Sequence, residues 1–122
     1  MKIERFEDIE SWKVARELTR HVYSLCNKGQ LSRDYGLKDQ VQRASVSIMA
    51  NIAEGFDSNS SKSFLNFLSY SFRSASEVQS LLYVILDLNY ITPKEFEDLY
   101  NQSTKIKSLI MGLSRYLKTL PE

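Results

Sequence analysis

Apolar residues recur every three or four positions along four segments of the chain, which is the period of one face of an α-helix. The first segment runs from Ile9 to Asn27, the second from Leu37 to Glu54 and the third from Lys62 to Leu88. The fourth begins at Thr92, where a hydroxyl, a proline and a glutamate form the pattern of a helix N-terminus. Gly55 is predicted to end the second helix.

Each segment carries one apolar stripe that can enter a common core. Ser103 is the one polar residue within the stripe of the fourth helix. The predicted core positions are Ile9, Trp12, Ala15, Leu18, Val22, Leu25, Leu37, Val41, Ala44, Ile48, Ile52, Phe64, Leu68, Phe72, Ala75, Val78, Leu82, Ile85, Leu88, Phe96, Leu99, Ile106, Ile110, Leu113, Leu117 and Leu120. The connections between the segments are short, and short connections place consecutive helices antiparallel. We therefore predict an all-α fold, an antiparallel up-down-up-down four-helix bundle that forms a single domain over residues 1–122.

The second, third and fourth helices carry more apolar residues than one core stripe requires. The additional positions are Val46, Met49, Ala50, Ala53, Phe56, Leu65, Phe67, Tyr70, Leu81, Tyr83, Val84, Tyr100, Leu109, Met111 and Tyr116. Monomeric proteins rarely expose apolar patches of that extent. We predict a homo-oligomer that covers these residues; the alternative is a wide core that includes some of them.

The composition is that of a soluble domain and offers little catalytic chemistry. With 16 Lys and Arg against 15 Asp and Glu, the net charge is +1. Cys26 and His21 are the only residues of their kinds, which excludes a disulfide framework and a paired-histidine metal site. The sequence holds neither a glycine-rich phosphate loop nor a nucleophile motif, so we expect no enzyme activity and no cofactor. It also has neither an apolar run of about 18–20 residues nor a secretory signal, so we expect a cytoplasmic protein without membrane contact.

A line of polar residues follows one face of the second helix, with apolar residues on both sides. Its members, at spacings of three and four, are Gln40, Arg43, Ser47, Asn51 and Glu54. One interpretation is a site for a small polar ligand. The other, which we favour, is a structural network in which these side chains satisfy one another or backbone groups. Whether such a network lies in the core or between subunits stays open.

Basic residues gather on the first and last helices. The stripe on the first helix is interrupted by Glu17, and on the last helix the acids precede the bases, as the helix dipole favours. The candidates for contact with nucleic-acid phosphates are Lys13, Arg16, Arg20, Lys107, Arg115 and Lys118. A cluster of these six would favour nucleic-acid binding, whereas interleaved acids would favour a protein-binding module.

The second helix also carries a specific sequence pattern. It consists of Tyr35-Gly36-Leu37, Gln40, Arg43-Ala44-Ser45-Val46-Ser47-Ile48 and Asn51-Ile52-Ala53-Glu54-Gly55. This pattern resembles the signature of the four-helix-bundle proteins encoded in intervening sequences of bacterial 23S ribosomal RNA genes, often labelled S23 ribosomal protein. Similar patterns in the first and third helices extend the resemblance over nearly the whole chain. The chain departs from the family pattern at Arg73, where a small residue, usually glycine, is expected.

The resemblance implies a homopentamer of antiparallel four-helix bundles, which agrees with the surplus of apolar residues. It implies no catalytic residue. The family includes accessory proteins of diversity-generating retroelements, basic pentamers that bind a reverse transcriptase and nucleic acid, whereas this chain is close to neutral. Two functions therefore stay open for a non-catalytic oligomeric scaffold. One is an accessory protein that binds RNA or DNA, and the other is a protein–protein assembly module with no nucleic-acid contact.

Overall fold

Four α-helices and two 3-10 turns account for most of residues 3–121, the part of the chain that the computed structural model describes. The first two residues and the last, which the predicted domain includes, lie outside it. The helices are α1 (Glu10–Cys26), α2 (Tyr35–Phe56), α3 (Ser61–Asp87) and α4 (Pro93–Lys118), and the 3-10 turns are Phe6–Asp8 and Gln30–Arg33. The predicted all-α fold is confirmed, and the helices lie close to their predicted bounds.

The helices form a closed ring in which each packs against the next and α4 packs against α1. In three of these neighbouring pairs the helices are antiparallel, because residues later in one helix contact residues earlier in the other. The residue pairs that define these directions are Gln40 with Glu77 and Ser47 with Ser74 for α2 and α3, Phe72 with Lys107 and Tyr83 with Phe96 for α3 and α4, and His21 with Gln102 and Lys28 with Glu95 for α1 and α4. Three antiparallel pairs around the ring make the fourth antiparallel as well, so the up-down-up-down bundle is confirmed.

The N-terminus of α4 has the predicted capping box. The Thr92 hydroxyl oxygen accepts a hydrogen bond from the Glu95 amide at 3.1 Å, and the Glu95 carboxylate accepts one from the Thr92 amide at 2.9 Å. Two of the amide groups that a helix leaves without intrahelical partners are thereby satisfied. The sequence pattern therefore predicts both the place and the chemistry of this helix start.

Gly55 does not end α2, which continues to Phe56. The predicted stop is wrong because this glycine serves packing rather than termination. A Cβ atom built on Gly55 would lie 2.8 Å from Cδ1 of Phe64 and 2.8 Å from Cβ of Phe67, both on α3. The absence of a side chain lets the end of α2 and the start of α3 approach closely.

The predicted stripes form the core, with two exceptions. Ile48, Leu68 and Leu82 are representative of the interior, each with none of its surface exposed. Leu88 and Leu120, which the period places in the core, are 46% and 38% exposed. Leu88 is the C-cap residue of α3 and Leu120 lies two residues beyond the end of α4, so neither continues the helical face that the period assumes.

Ser103 is fully buried although it interrupts the apolar stripe of α4. Its hydroxyl donates to the Leu99 carbonyl oxygen one turn earlier, at 2.9 Å. Ser71 of α3 bonds to another helix instead: its hydroxyl donates to the Ile48 carbonyl oxygen of α2 at 2.7 Å. Small hydroxyl side chains can thus occupy this core, since each has a hydrogen-bond partner.

The surplus apolar residues divide between the interior and the surface. Leu81 is buried, which fits the wide-core alternative at that position. Others of the set are large and at least two-fifths exposed: Val46, Tyr70, Tyr83, Val84, Met111 and Tyr116. A single copy of the bundle leaves these apolar groups in water, and the homo-oligomer stays a prediction.

Cys26 lies fully inside the bundle near the end of α1. Burial raises the pKa of its thiol to about 11, because the charged thiolate loses its hydration there. The thiolate is the nucleophilic form of cysteine, so this side chain is inert at neutral pH and acts as a small apolar group.

Candidate nucleic-acid interface

A groove between α3 and α4 brings apolar and basic side chains together. Its volume is about 330 Å³, and it opens to the surface. Leu65 and Phe72 of α3 and Met111 of α4 contribute apolar lining. The basic side chains in the lining are those of Arg73, Arg115 and Lys118. Within residues 3–121, no Asp or Glu contributes to this lining.

Two basic side chains at this groove, those of Arg73 and Lys107, contact aromatic rings of α3. The Arg73 guanidinium carbon lies 4.8 Å from the ring centroid of Tyr70, one turn earlier on α3. The Lys107 ammonium nitrogen lies 4.8 Å from the ring centroid of Phe72 and donates to Oε1 of Gln79 at 3.1 Å. Contacts of a cation with an aromatic face are attractive and leave the charge intact. Both positive charges therefore remain available to an anion.

The cations of the groove make no ion pair within residues 3–121. The ion pairs of this part of the chain are Arg5 with Glu7 and Asp8, Arg20 with Glu17, Lys28 with Glu95, Arg43 with Asp39, and Lys94 with Asp98. Arg73, Arg115 and Lys118 thus line the groove without an acid paired to them in this part of the chain, and Lys107 adds a fourth such charge beside it. An arrangement of this kind creates a positive potential that attracts phosphate groups.

The basic stripe of α1 is electrostatically weaker. Arg20 donates to both carboxylate oxygens of Glu17 at 2.6 Å, and this hydrogen bond holds the pKa of the Glu17 carboxyl below its usual value. Lys13 and Arg16 line a surface depression with Trp12, Glu17 and Arg20, all within about two and a half turns of a single helix. The interleaved acid lowers the net charge of the stripe from three positive charges to two.

The six predicted basic residues therefore form two groups rather than one cluster. Arg115 and Lys118 line the α3/α4 groove, and Lys107 lies beside it. Lys13, Arg16 and Arg20 lie together on α1. The sequence alone did not identify Arg73 as a groove residue. Its one sequence signal is that arginine stands where the family pattern has a small residue.

The polar line on α2 does not form one network within the chain. Gln40 meets Glu77 of α3 at 3.5 Å, and Arg43 pairs with Asp39 at 2.8 Å on the exposed side of its own helix. Arg43 therefore contacts a residue that the predicted line does not include.

Two members of the line do meet one another. Asn51 donates to the carbonyl and hydroxyl oxygens of Ser47, and the Ser47 hydroxyl lies 2.8 Å from that of Ser74 on α3. Glu54 is exposed and has no hydrogen bond to another side chain among residues 3–121. Arg43, Asn51 and Glu54 do not converge on one point, so the single chain offers no polar ligand site there.

An aromatic cluster lies on the surface where α3 ends and α4 begins. The Tyr83 ring centroid is 4.9 Å from that of Phe96 and 5.8 Å from that of Tyr100. Val84 and Leu88 nearby are each more than two-fifths exposed. Phe96 and Tyr100 are half-buried against the core, whereas Tyr83 is 50% exposed. Exposed apolar groups such as Tyr83, Val84 and Leu88 are typical of surfaces that contact another protein.

His21 is exposed on α1, with Nδ1 3.1 Å from Oε1 of Gln102 on α4. Residues 3–121 contain no group of three or more His, Cys, Asp or Glu side chains arranged to hold a metal ion. In the same range, no helix combines the length and apolar character needed to cross a membrane.

The fold and the sequence are both similar to one protein family. The family model of the 23S rRNA-intervening sequence protein matches residues 7–112. The bundle also resembles the crystal structure of a protein of unknown function from the S23 ribosomal protein family of Bacteroides thetaiotaomicron. That chain is 25% identical, the match covers 85% of this chain and 97% of that one, and the TM-score is 0.79. A comparison with curated proteins gives no match. Because the family model spans most of the chain, this protein belongs to the 23S rRNA-intervening sequence protein family.

Proposed function

We propose that this protein is a non-catalytic, cytoplasmic homo-oligomeric scaffold that binds nucleic acid through the α3/α4 groove. The observation that carries the proposal is a set of four cations that make no ion pair within residues 3–121, three of them in the groove lining (Arg73, Arg115 and Lys118) and one, Lys107, beside it. Lys107 and Lys118 are eleven residues apart on α4, about 16 Å along the helix, so these cations can contact several phosphates of a backbone rather than one small anion. Phosphate contacts of Lys and Arg supply most of the non-specific affinity for nucleic acids.

The proposed assembly would raise the affinity for nucleic acid, although each chain has a net charge of only +1. One groove offers few phosphate contacts and hence weak binding. A ring of identical subunits repeats the groove, and simultaneous contacts to one nucleic-acid molecule raise the overall affinity without new chemistry. The exposed apolar residues of α2, α3 and α4 supply surface that such an assembly can bury.

We predict that RNA binding depends on the groove cations and on salt. A fluorescently labelled structured RNA is titrated with the protein at about 50 and 200 mM salt, and fluorescence anisotropy reports the Kd. We expect the double substitution Arg115→Glu with Lys118→Glu to weaken binding about tenfold or more. It should also flatten the slope of log Kd against log salt by roughly 1.5, since each lost phosphate contact removes about 0.7–0.9.

The control carries the same charge change at the other end of the bundle. Arg33→Glu with Lys94→Glu alters two exposed residues near the start of α2 and α4, and it should leave RNA affinity nearly unchanged. Lys13→Glu with Arg16→Glu tests the α1 stripe and should have the smaller effect of the two candidate groups. Equal losses in the groove and control variants would show that binding follows total charge and not the groove. No binding at about 50 mM salt would exclude the nucleic-acid function.

We predict that the purified protein assembles as a pentamer. Light scattering is expected to give a mass of about 70 kDa, five times the 14.1 kDa of one chain. The driving force is burial of apolar side chains that one bundle leaves exposed. A mass of one chain across micromolar concentrations would contradict the oligomer, and with it the repeated groove on which the affinity argument depends.

The second candidate function is a protein–protein assembly module with no nucleic-acid contact. The observation in its favour is the aromatic cluster of Tyr83, Phe96 and Tyr100 beside the exposed Val84 and Leu88. Aromatic side chains are enriched in protein interfaces, whereas Lys and Arg supply most of the affinity for phosphates. A protein that assembles but binds no RNA at low salt would favour this function.

A further inference from the structure

A second cavity, unrelated to the basic groove, lies between α1 and α4. Its volume is about 420 Å³, within the range of about 300–1,000 Å³ typical of small-molecule sites. Apolar side chains dominate its lining: Ile3, Ile9, Leu109, Leu113 and Tyr116. Ser11, Ser108 and Glu10 add the few polar groups. Apolar walls with few polar groups are the usual composition of a pocket that binds an organic molecule.

One of these polar groups has no partner. Ser11 is only 2% exposed, and its hydroxyl oxygen makes no hydrogen bond. It is the only buried side-chain polar atom of residues 3–121 in that condition. A buried hydroxyl without a partner is destabilising, so native proteins rarely retain one unless a ligand or water satisfies it. Ser11 belongs to the cavity lining, and rotation about its Cα–Cβ bond would bring the hydroxyl, which is shielded from water in the free protein, to a ligand there.

Gly112 keeps the cavity wide, because it adds no side chain to the lining. This glycine lies inside α4 and lines the cavity, and a Cβ built on it meets no atom within 4 Å. A glycine within a helix is less stable than alanine by about 1 kcal/mol, and here no neighbour requires it. The side chain that is missing from Gly112 leaves room at the cavity rather than at a helix contact.

We propose that this α1/α4 cavity binds a small, neutral, mainly apolar molecule with one hydrogen-bonding group that pairs with the Ser11 hydroxyl. The charge of the ligand follows from Glu10, the one charged residue among the described residues of the lining. None of the Lys and Arg residues within 3–121 lines the cavity, and Glu10 makes no ion pair in that range. A carboxylate or phosphate ligand would meet repulsion there, whereas an alcohol, an aromatic amine or an amide, each uncharged at neutral pH, would not.

The probe for this site is N-phenyl-1-naphthylamine, a neutral aromatic dye with one N–H group whose fluorescence rises in apolar surroundings. We expect saturable binding with one dye per chain. Gly112→Leu should abolish it by filling the cavity, and Ser11→Ala should weaken it about 3- to 10-fold by removing one neutral hydrogen bond. Unlabelled 1-octanol should displace the dye, whereas octanoate at the same concentration should not.

Gly36→Leu is the matched control, because Gly36 is also helical and a Cβ there also meets open space, but it lies at the start of α2. This variant should bind the dye like the wild type. Circular dichroism shows whether Gly112→Leu is folded. If it is not, Gly112→Ala and Ser11→Ala take its place. Weaker dye binding in both, together with displacement by octanol, supports the site, and unchanged binding in both overturns the proposal. Dye binding that survives in folded Gly112→Leu would overturn the proposal. Dye binding that disappears as protein concentration and assembly mass rise would also overturn it, since a second copy would then occupy the cavity.

Discussion

Gly55→Ala is expected to lower the free energy of unfolding by about 1–3 kcal/mol, the usual cost of overpacking a close contact. The new methyl group would lie 2.8 Å from ring atom Cδ1 of Phe64 and 2.8 Å from Cβ of Phe67. A ring can turn aside, but the Phe67 Cβ is attached to the α3 backbone, so the two helices must separate. Alanine is intrinsically more favourable than glycine in a helix, and this gain offsets part of the loss. A net loss remains, because separating α2 from α3 weakens the most extensive helix contact of the bundle.

The matched control is the same substitution at Gly112, a glycine in the interior of α4. Its added methyl meets no atom within 4 Å, so Gly112→Ala should raise the free energy of unfolding by about 0.5–1 kcal/mol. Urea unfolding followed by far-UV circular dichroism measures both changes. Effects of the same sign in the two variants would contradict the close approach of α2 and α3 at Gly55.

The fold was predictable because local and periodic signals agree along this chain. Apolar residues at spacings of three and four define each helix, and the Thr92 capping box marks the start of α4. The same period placed Leu88 and Leu120 in the core, where the structure has them exposed. Periodicity indicates which face of a helix is apolar, but it does not indicate the residue at which that helix ends.

The candidate site was only partly predictable because it is formed by two helices. The sequence showed Lys107, Arg115 and Lys118 on one helix, but only the packing of α3 on α4 adds Arg73 to them. Likewise, ion pairs within a helix depend on neighbours one turn away. Glu17 compensates part of the α1 stripe in this way, at a distance that spacing alone does not give.

The polar line on α2 shows a further limit of sequence reasoning. Its members share a face, but Arg43 turns to Asp39 one turn earlier, and Asn51 turns to Ser47. Residues four positions apart on a helix are close enough to pair, so local partners compete with the distant ones that a network would need. The pattern therefore located the polar face correctly and did not determine the partners.

Ile48→Ala is expected to lower the free energy of unfolding by about 2–5 kcal/mol, the range for truncating a fully buried aliphatic side chain. Ile48 has none of its surface exposed, and its carbonyl oxygen accepts the Ser71 hydroxyl from α3. That backbone contact stays in the variant, so the loss measures the side chain alone. A loss of this size is a large part of the roughly 5–15 kcal/mol that stabilises a typical domain.

Val46→Ala provides the comparison that separates the interior from the assembly surface. Val46 lies two residues away on α2 and is 40% exposed, so its truncation should change the free energy of unfolding of a single bundle by about 0.5 kcal/mol or less. In the proposed oligomer, stability rises with protein concentration because association favours the folded subunits. The deficit of Ile48→Ala should then be the same at every concentration, since the lost contacts lie within one bundle. A deficit of Val46→Ala that grows with concentration would place Val46 in the subunit interface. A constant small deficit would leave the apolar residues of α3 and α4 as the surface that assembly buries.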